Sequence, residues 1–231
     1  MEAINLEKSK NKVLNMDCLE FMKQVPDNYF DLVLTDPPYG IGASNDFYSG
    51  TKKTGFGGKE TFVKAKEYKK SDWDNKTPNS EVFYEILRIS KNSIIFGGNY
   101  FMENLHSTPC VIVWDKDNGG SSFADCELAW TNFESAVRKY KFRWHGMLQQ
   151  QMQDKEERHH PTQKPIELFK MILRDYAVKK DKKTVFDPFM GSGTTAIACK
   201  SLGLDFWGTE LDEDYCKIIY KRLNAVQGSL F

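Results

Sequence analysis

The chain has 231 residues, with 32 basic side chains balanced by 32 acidic ones and 40% hydrophobic residues. That is enough for one domain with a substantial core and too few for two ordinary ones. No run approaches the roughly 20 apolar residues of a membrane span, and the polar opening MEAINLEKSKNK lacks a signal peptide's apolar stretch, so a cytoplasmic, non-membrane protein is expected.

In chain order, short apolar or β-branched runs alternate with helical patterns, the signature of a wound α/β sheet. Strands are expected at 13–16, 31–35, 93–97, 111–115, 126–131, 184–187 and 206–210, and helices at about 17–25, 79–90, 165–178, 193–202 and 212–226. The cleanest helix is PIELFKMILRDYAV, with proline first and apolar residues at helical spacing. Two segments break the alternation. Residues 41–78 read as a long loop or flap, and residues 132–160 as a small polar and aromatic insertion; loops of this length in one domain are usually functional or disordered.

The zero net charge hides an uneven distribution. Residues 52–70 carry seven lysines against two glutamates, Lys52, Lys53, Lys69 and Lys70 among them, and RKYKFR adds Arg138, Lys139, Lys141 and Arg143 between aromatics. A polyanion responds to such local patches rather than to the sum, although charge runs are often merely solvated faces. The five cysteines are scattered without a CxxC pair, and the four histidines show neither HxxxH nor HExxH spacing. Neither a disulfide framework nor a metal site is expected.

In wound sheets ligands sit beyond the carboxyl ends of the parallel strands, so residues that follow each strand carry the chemistry. The first strand is followed by Asp17 and Cys18; Asp17 is a natural helix N-cap, and its carboxylate could also accept from an amine. The second ends in Asp36-Pro37-Pro38-Tyr39. Alone, Asp and Pro are ordinary turn formers. Placed at a strand end, the Asp36 carboxylate and the Pro37 carbonyl supply two acceptors for the two N–H groups of one aromatic amine. They would pull its nitrogen toward tetrahedral geometry and free its lone pair. Two consecutive prolines stiffen the turn, and Tyr39 offers a flat face for a base turned out of its duplex.

The strand at 184–187 runs into Asp187-Pro188-Phe189-Met190-Gly191-Ser192-Gly193-Thr194-Thr195, which opens a helix. The glycines allow a ligand close to the backbone, and the helix start leaves N–H groups free. No Gly-Lys-Ser/Thr follows, so this is not a nucleoside-triphosphate loop. A strand-end carboxylate suits an ammonium better than a pyrophosphate. Glu210, at the end of the next strand, stands where an acid can take two ribose hydroxyls. Its ordinary alternative is a surface acid near a helix start.

Together these motifs resemble the DNA adenine-N6/cytosine-N4 methyltransferases, in the class whose catalytic motif precedes the cofactor motif. NMDCLEFMKQVPDNYFDLVLTDPPYG is similar to that family's opening block, IIFGGN and VWDK to its middle strands, and HPTQKP followed by DPFMGSGTT to its most specific segment. FWGTELDEDYCKIIYKRL resembles its closing strand and helix. The resemblance implies a Rossmann-like, seven-stranded, mostly parallel sheet with one reversed strand, circularly permuted, and S-adenosylmethionine as cofactor.

By that resemblance Asp187, Phe189, Gly191 and Gly193 line the methionine part of the cofactor, with Pro188, Ser192 and Thr194 in the same turn. Glu210 and Leu211 stand at the ribose, Asp17 and Cys18 at the adenine, and Gln163, Lys164 and Pro165 close over the cofactor's carboxylate side. The target is double-stranded DNA. Aspartate before PPY favours adenine N6, with cytosine N4 and a non-catalytic DNA-docking module as the competing readings. Residues 132–158 are the expected target-recognition insertion, with the flap 41–78 sharing the task. A homodimer and a cognate restriction endonuclease are the candidate protein partners.

Overall fold

The computed structural model describes residues 4–41, 52–54, 60–62, 76–119, 124–145, 148–150, 153, 155–160 and 162–226. Its centre is an eight-stranded sheet built from β1 (Lys12–Asn15), β2 (Leu32–Thr35), β5 (Ser93–Phe96), β6 (Val111–Asp115), β7 (Cys126–Thr131), β8 (Arg138–Lys141), β11 (Thr184–Asp187) and β12 (Asp205–Glu210). The strand order is β1-β12-β11-β2-β5-β7-β6-β8. Every pairing is parallel except those of β7, which runs against both β5 and β6. Two short antiparallel pairs lie outside it: β3 (Lys52–Thr54) with β4 (Glu60–Phe62), and β9 (Trp144–His145) with β10 (Leu148–Gln149).

All seven expected strands are present, and the one reversed strand is the expected kind of exception. The eighth is Arg138–Lys141, which lies in the segment read from sequence as an insertion. Its charged residues gave no apolar run to mark it, because an edge strand needs only one buried face. Tyr140 supplies that face, while Arg138, Lys139 and Lys141 are exposed.

Strand alternation sorts the core into two layers. Leu32, Leu34, Ile94, Phe96 and Val185 face one side, against α3 (Ile166–Tyr176), α4 (Thr194–Ser201) and α5 (Glu213–Ala225). Val33, Ile95, Phe186 and Trp207 face the other, against α1 (Cys18–Met22) and α2 (Ser80–Ile89). On that second side Phe186 stacks between Phe21 and Phe30, with ring centroids 5.1 and 4.9 Å away. Fully burying one such side chain contributes about 1.5–3 kcal/mol. The central strands β2 and β5 are buried along their whole length, whereas β1 and β8 alternate with exposed residues, as edge strands do.

This topology places the strand-end residues on one rim. The parallel strands end there, which brings up Asp17, Asp36, Asp187 and Glu210, and Lys116 just after β6. The reversed β7 begins there instead, so its second residue, Glu127, opposite Trp114, joins the same rim. No helix among the described residues is long and apolar enough to cross a membrane.

Candidate active site

Asp36 follows β2 directly, and its side chain is 20% exposed. The Tyr39 hydroxyl donates to its Oδ1 at 2.7 Å, and the Lys164 ammonium to its Oδ2 at 2.5 Å. A carboxylate offers about four acceptor positions, so acceptor capacity remains on both oxygens. Burial, then the nearby negative charge of Glu127, raises the Asp36 pKa above the ordinary value, while Lys164 and Tyr39 pull the other way.

Lys164 is 6% exposed and also lies 3.2 Å from Oε2 of Glu127. Burial alone would lower its pKa, but Asp36 and Glu127 outweigh that and raise it, so the ammonium stays protonated. Glu127 in turn holds Lys116 at 2.6 Å. Burial works to raise the Glu127 pKa, and the two lysines more than offset it and bring it down.

The Tyr39 ring lies against the backbone of Gly97, where any Cβ would come within 2.2 Å of its Cε1. One face stacks on Tyr100, with centroids 4.8 Å apart and planes 16° apart. Gly97 has φ +71°, a conformation open to glycine at little cost, and it follows β5 so that a bare backbone meets the tyrosine.

Further along the rim, Asp187 is buried and heavily engaged. Its Oδ1 accepts from the Thr35 hydroxyl at 2.7 Å and from the Phe189 N–H at 3.0 Å, and its Oδ2 accepts from the Thr195 hydroxyl. Burial pushes its pKa up to about 6 despite these donors. Glu210 accepts from the Gly191 N–H at 2.8 Å and the Asp212 N–H at 2.9 Å, and burial raises it to about 7. The Asn15 amide donates to the carbonyls of Glu210 and Leu211, tying β1 to the end of β12. Asp17 uses Oδ1 to cap α1, accepting from the N–H groups of Leu19 and Glu20, and Oδ2 is left for another donor.

Residues 47–221 match the family model for N6/N4 methyltransferases, described as a DNA methylase. The chain belongs to this DNA methylase family. As a member it is an S-adenosylmethionine-dependent DNA methyltransferase. The methylase is 26% identical to the type II methyltransferase M.HinfI of Haemophilus influenzae, over 96% of this chain and 71% of that protein. It is 27% identical to the type II methyltransferase M2.DpnII of Streptococcus pneumoniae, over 94% of this chain and 91% of that one. It shares its fold with the crystal structure of the M1.HpyAVI–SAM complex, at TM-score 0.54 and 22% identity over 92% of this chain and 99% of that chain. The cytosine-N4-specific PvuII DNA methyltransferase gives TM-score 0.54 at 13% identity, over 95% and 89% of the two chains.

The rim of the methylase fits S-adenosylmethionine. Gly191 has φ +53°, and a Cβ built there would meet no heavy atom within 4 Å, so the turn leaves open space beside Glu210. Gly193 is the opposite case: φ is +90°, and its Cβ would press within 3.0 Å of Ile219. Two acids, Asp187 and Glu210, border the turn and Asp17 stands at another strand end of the same rim, an acceptor set suited to a cation that carries hydroxyls and an amine. Leu211 beyond them is 69% exposed, an apolar surface open to a flat ring. Cys18 packs inward, and burial pushes its thiol up to about 12. Phe189 packs partly on the α1 side of the core, Pro188 accepts at its carbonyl from Thr209, and Thr194 donates to the Lys164 carbonyl.

The HPTQKP segment divides between two tasks. Gln163 is fully engaged: its Oε1 accepts from Ser192 Oγ and the His159 N–H, and its Nε2 donates to Glu156 and to the Glu157 carbonyl. It thus clamps the Gly191-Ser192-Gly193 turn, and Pro165 occupies the N-cap position of α3 without a side-chain hydrogen bond. Lys164, expected from the resemblance to close over the cofactor's carboxylate side, has its ammonium against Asp36 and Glu127. The acid just after β2 and the acid on β7 hold it, since a buried ammonium is costly unless paired. Neither Glu127 nor Lys116 is singled out as a site residue by the sequence, although Lys116 ends the VWDK segment. The one sequence signal for Glu127 was an acid inside a strand that is otherwise largely apolar, CELAWT.

The basic patches fare differently. On β8 and the residues after it, Lys139 pairs with Asp115, and Lys141 and Arg143 with Asp117, so much of that charge is met within the methylase; Arg138 is exposed. Lys52 and Lys53 begin the β3–β4 pair, while Lys69 and Lys70 lie outside the described residues, as does most of the flap 41–78.

Proposed function

We propose that the chain methylates N6 of adenine in double-stranded DNA on a base turned out of the helix. The carrying observation is Asp36 at the end of β2: ionisable, partly exposed, held from two sides, and with acceptor positions to spare. In this reading Asp36 and the carbonyl of Pro37 accept from the two N–H groups of the target amine. Pro38 keeps the turn stiff, and Tyr39 supplies a stacking face where an incoming base takes the place of the exposed Tyr100. The cofactor supplies a methyl group already activated on a sulfonium. Glu210 takes the ribose hydroxyls, Asp17 the adenine amine, and the turn around Gly191 and Gly193, braced by Asp187, Ser192 and Gln163, the methionine end.

The lysines of 41–78 and the exposed Arg138 supply contacts to DNA phosphate, with residues 132–158 as the recognition insertion of a single-domain enzyme. A second copy of the chain and a cognate restriction endonuclease are its protein partners, and the cytoplasm its compartment. Labelled S-adenosylmethionine incubated with mixed DNA, followed by digestion to nucleosides and mass analysis, tests this directly. N6-methyl-2′-deoxyadenosine is the expected product. N4-methylcytosine alone would reject the base assignment, and absence of any labelled nucleoside would favour a non-catalytic docking module.

A further inference from the structure

Four charges of alternating sign form a row at the rim. Lys116 lies 2.6 Å from Oε1 of Glu127, Lys164 lies 3.2 Å from its Oε2, and the same Lys164 lies 2.5 Å from Oδ2 of Asp36. The four residues come from four separate segments: the end of β6, the start of the reversed β7, the loop before α3, and the end of β2. Their side chains are between 6 and 20% exposed, so solvent screens them only weakly.

An ammonium in direct contact with the acceptor creates a difficulty for methyl transfer. Lys164 aims the Asp36 carboxylate, but alone it would cancel the negative charge that the target amine meets as positive charge develops on its nitrogen. A second carboxylate on the far side of the ammonium removes the difficulty. Asp36, Lys164 and Glu127 together carry one net negative charge, and Lys116 balances Glu127 from behind.

We propose that Glu127 is a positioning residue for methyl transfer, holding Lys164 so that the ammonium orients Asp36 without neutralising the field at the target amine. The role rests on the assignment of Asp36 to that amine. In this role Glu127 and Lys164 act through the acceptor, Lys164 by its contact with Asp36 and Glu127 by its contact with Lys164.

The groups that face Asp36 are Lys164 from the α3 loop, Glu127 from β7, Tyr39 from its own turn, and Asp187 from β11, with Lys116 behind Glu127. The row therefore has a signature that a structural brace would lack. Removing the cation, in Lys164→Met, moves the Asp36 titration to higher pH, and an opposite charge at this range is worth about one to three pH units. Removing the second anion, in Glu127→Gln, moves it to lower pH. The two isosteric or near-isosteric changes thus act in opposite directions on one group.

The test is carboxyl-carbon NMR of the full chain labelled at aspartate, with the Asp36 resonance assigned by its loss in Asp36→Asn, which needs no turnover. Opposite shifts in Lys164→Met and Glu127→Gln support the row, and shifts of the same sign or none overturn it. If Lys164→Met fails to fold, Lys164→Gln and the Glu127→Gln arm alone still decide, since a downward shift is required of the latter. Single-turnover methylation adds the functional readout. Glu127→Gln should slow the chemical step by roughly ten- to hundredfold, with cofactor and DNA affinity unchanged. An unchanged rate in Glu127→Gln beside an active parent protein also overturns the proposal. Failure of the parent to methylate DNA at all, with the NMR shifts opposite, would instead strike the assignment of the site.

Discussion

The ammonium of Lys164 stands 2.5 Å from Oδ2 of Asp36, although 128 residues separate them along the chain. The contact joins the loop that opens α3 to the turn that ends β2. The same loop, through Gln163, also holds Ser192 in the glycine turn. A single short segment thus braces both halves of the site, but through different residues, Lys164 for one and Gln163 for the other.

That division leads to the first prediction. Asp36→Ala should reduce the methylation rate at least roughly a hundredfold, the effect of removing a positioned hydrogen-bonding group of about 2.7–4 kcal/mol, while S-adenosylmethionine binds nearly normally. Asp187→Ala should weaken cofactor binding measured by calorimetry without DNA. It should also lower Tm, because Thr35, Thr195 and the Phe189 N–H all lose their acceptor. Equal loss of cofactor affinity in two folded variants would show that the site is not divided this way.

A second prediction concerns protons. Burial raises Glu210 to about 7 from an ordinary carboxylate value of 4.5. The folded state therefore binds this proton more tightly than the unfolded chain does. The resulting contribution to stability is full below about pH 4.5 and is lost as pH rises through about 7. Hydroxyls that donate to the ionised carboxylate favour its charged form, so cofactor binding near pH 6 should release protons. Calorimetry in buffers of different ionisation enthalpy measures the release, and Glu210→Gln should reduce it. Equal release by both proteins would place the titrating group elsewhere.

Gly97 gives a third. Alanine there meets both a φ of +71° and the Tyr39 ring at 2.2 Å, so the ring must move. The strained backbone should cost about 1–3 kcal/mol, and a displaced stacking face should slow methylation by about a hundredfold. Gly203→Ala is the control, since its φ is +67° but no heavy atom lies within 4 Å of the added Cβ. Chemical denaturation should show a loss of stability in both variants, and single-turnover assays a slower rate in the Gly97 variant alone.

The fourth prediction separates the basic patches. Replacing Lys52, Lys53, Lys69 and Lys70 by alanine should flatten the slope of log affinity against log salt by about one to four units. Replacing Lys139 and Lys141 should flatten it less per residue, because each already faces an aspartate of the same sheet region. Filter binding on duplex DNA across a salt series distinguishes the two sets. A slope unaffected by the first set would leave those lysines as a solvated face.

Much of this protein was legible in its sequence because the signals are local. An apolar run, a proline pair after a strand, or a glycine turn before a helix restricts the backbone within a few residues, and so each expected strand is met, within one residue at either end, by Lys12–Asn15, Leu32–Thr35, Ser93–Phe96, Val111–Asp115, Cys126–Thr131, Thr184–Asp187 and Asp205–Glu210. The sequence also put Asp36, Asp187 and Glu210 at strand ends, which in a parallel sheet amounts to one rim. Partner choice among charges was not legible. Lys164 had several acids within the chain's reach, and only the strand order β2-β5-β7 brings Asp36 and Glu127 close enough to share it. Glu127 arrives because β7 is reversed and so begins where its neighbours end. The edge strand Arg138–Lys141 was hidden for a related reason: it joins β6 through backbone hydrogen bonds and one buried tyrosine, and neither leaves a run of apolar residues. Backbone preferences are written residue by residue, whereas the pairing of buried charges is settled only when distant segments compete for the same desolvated space.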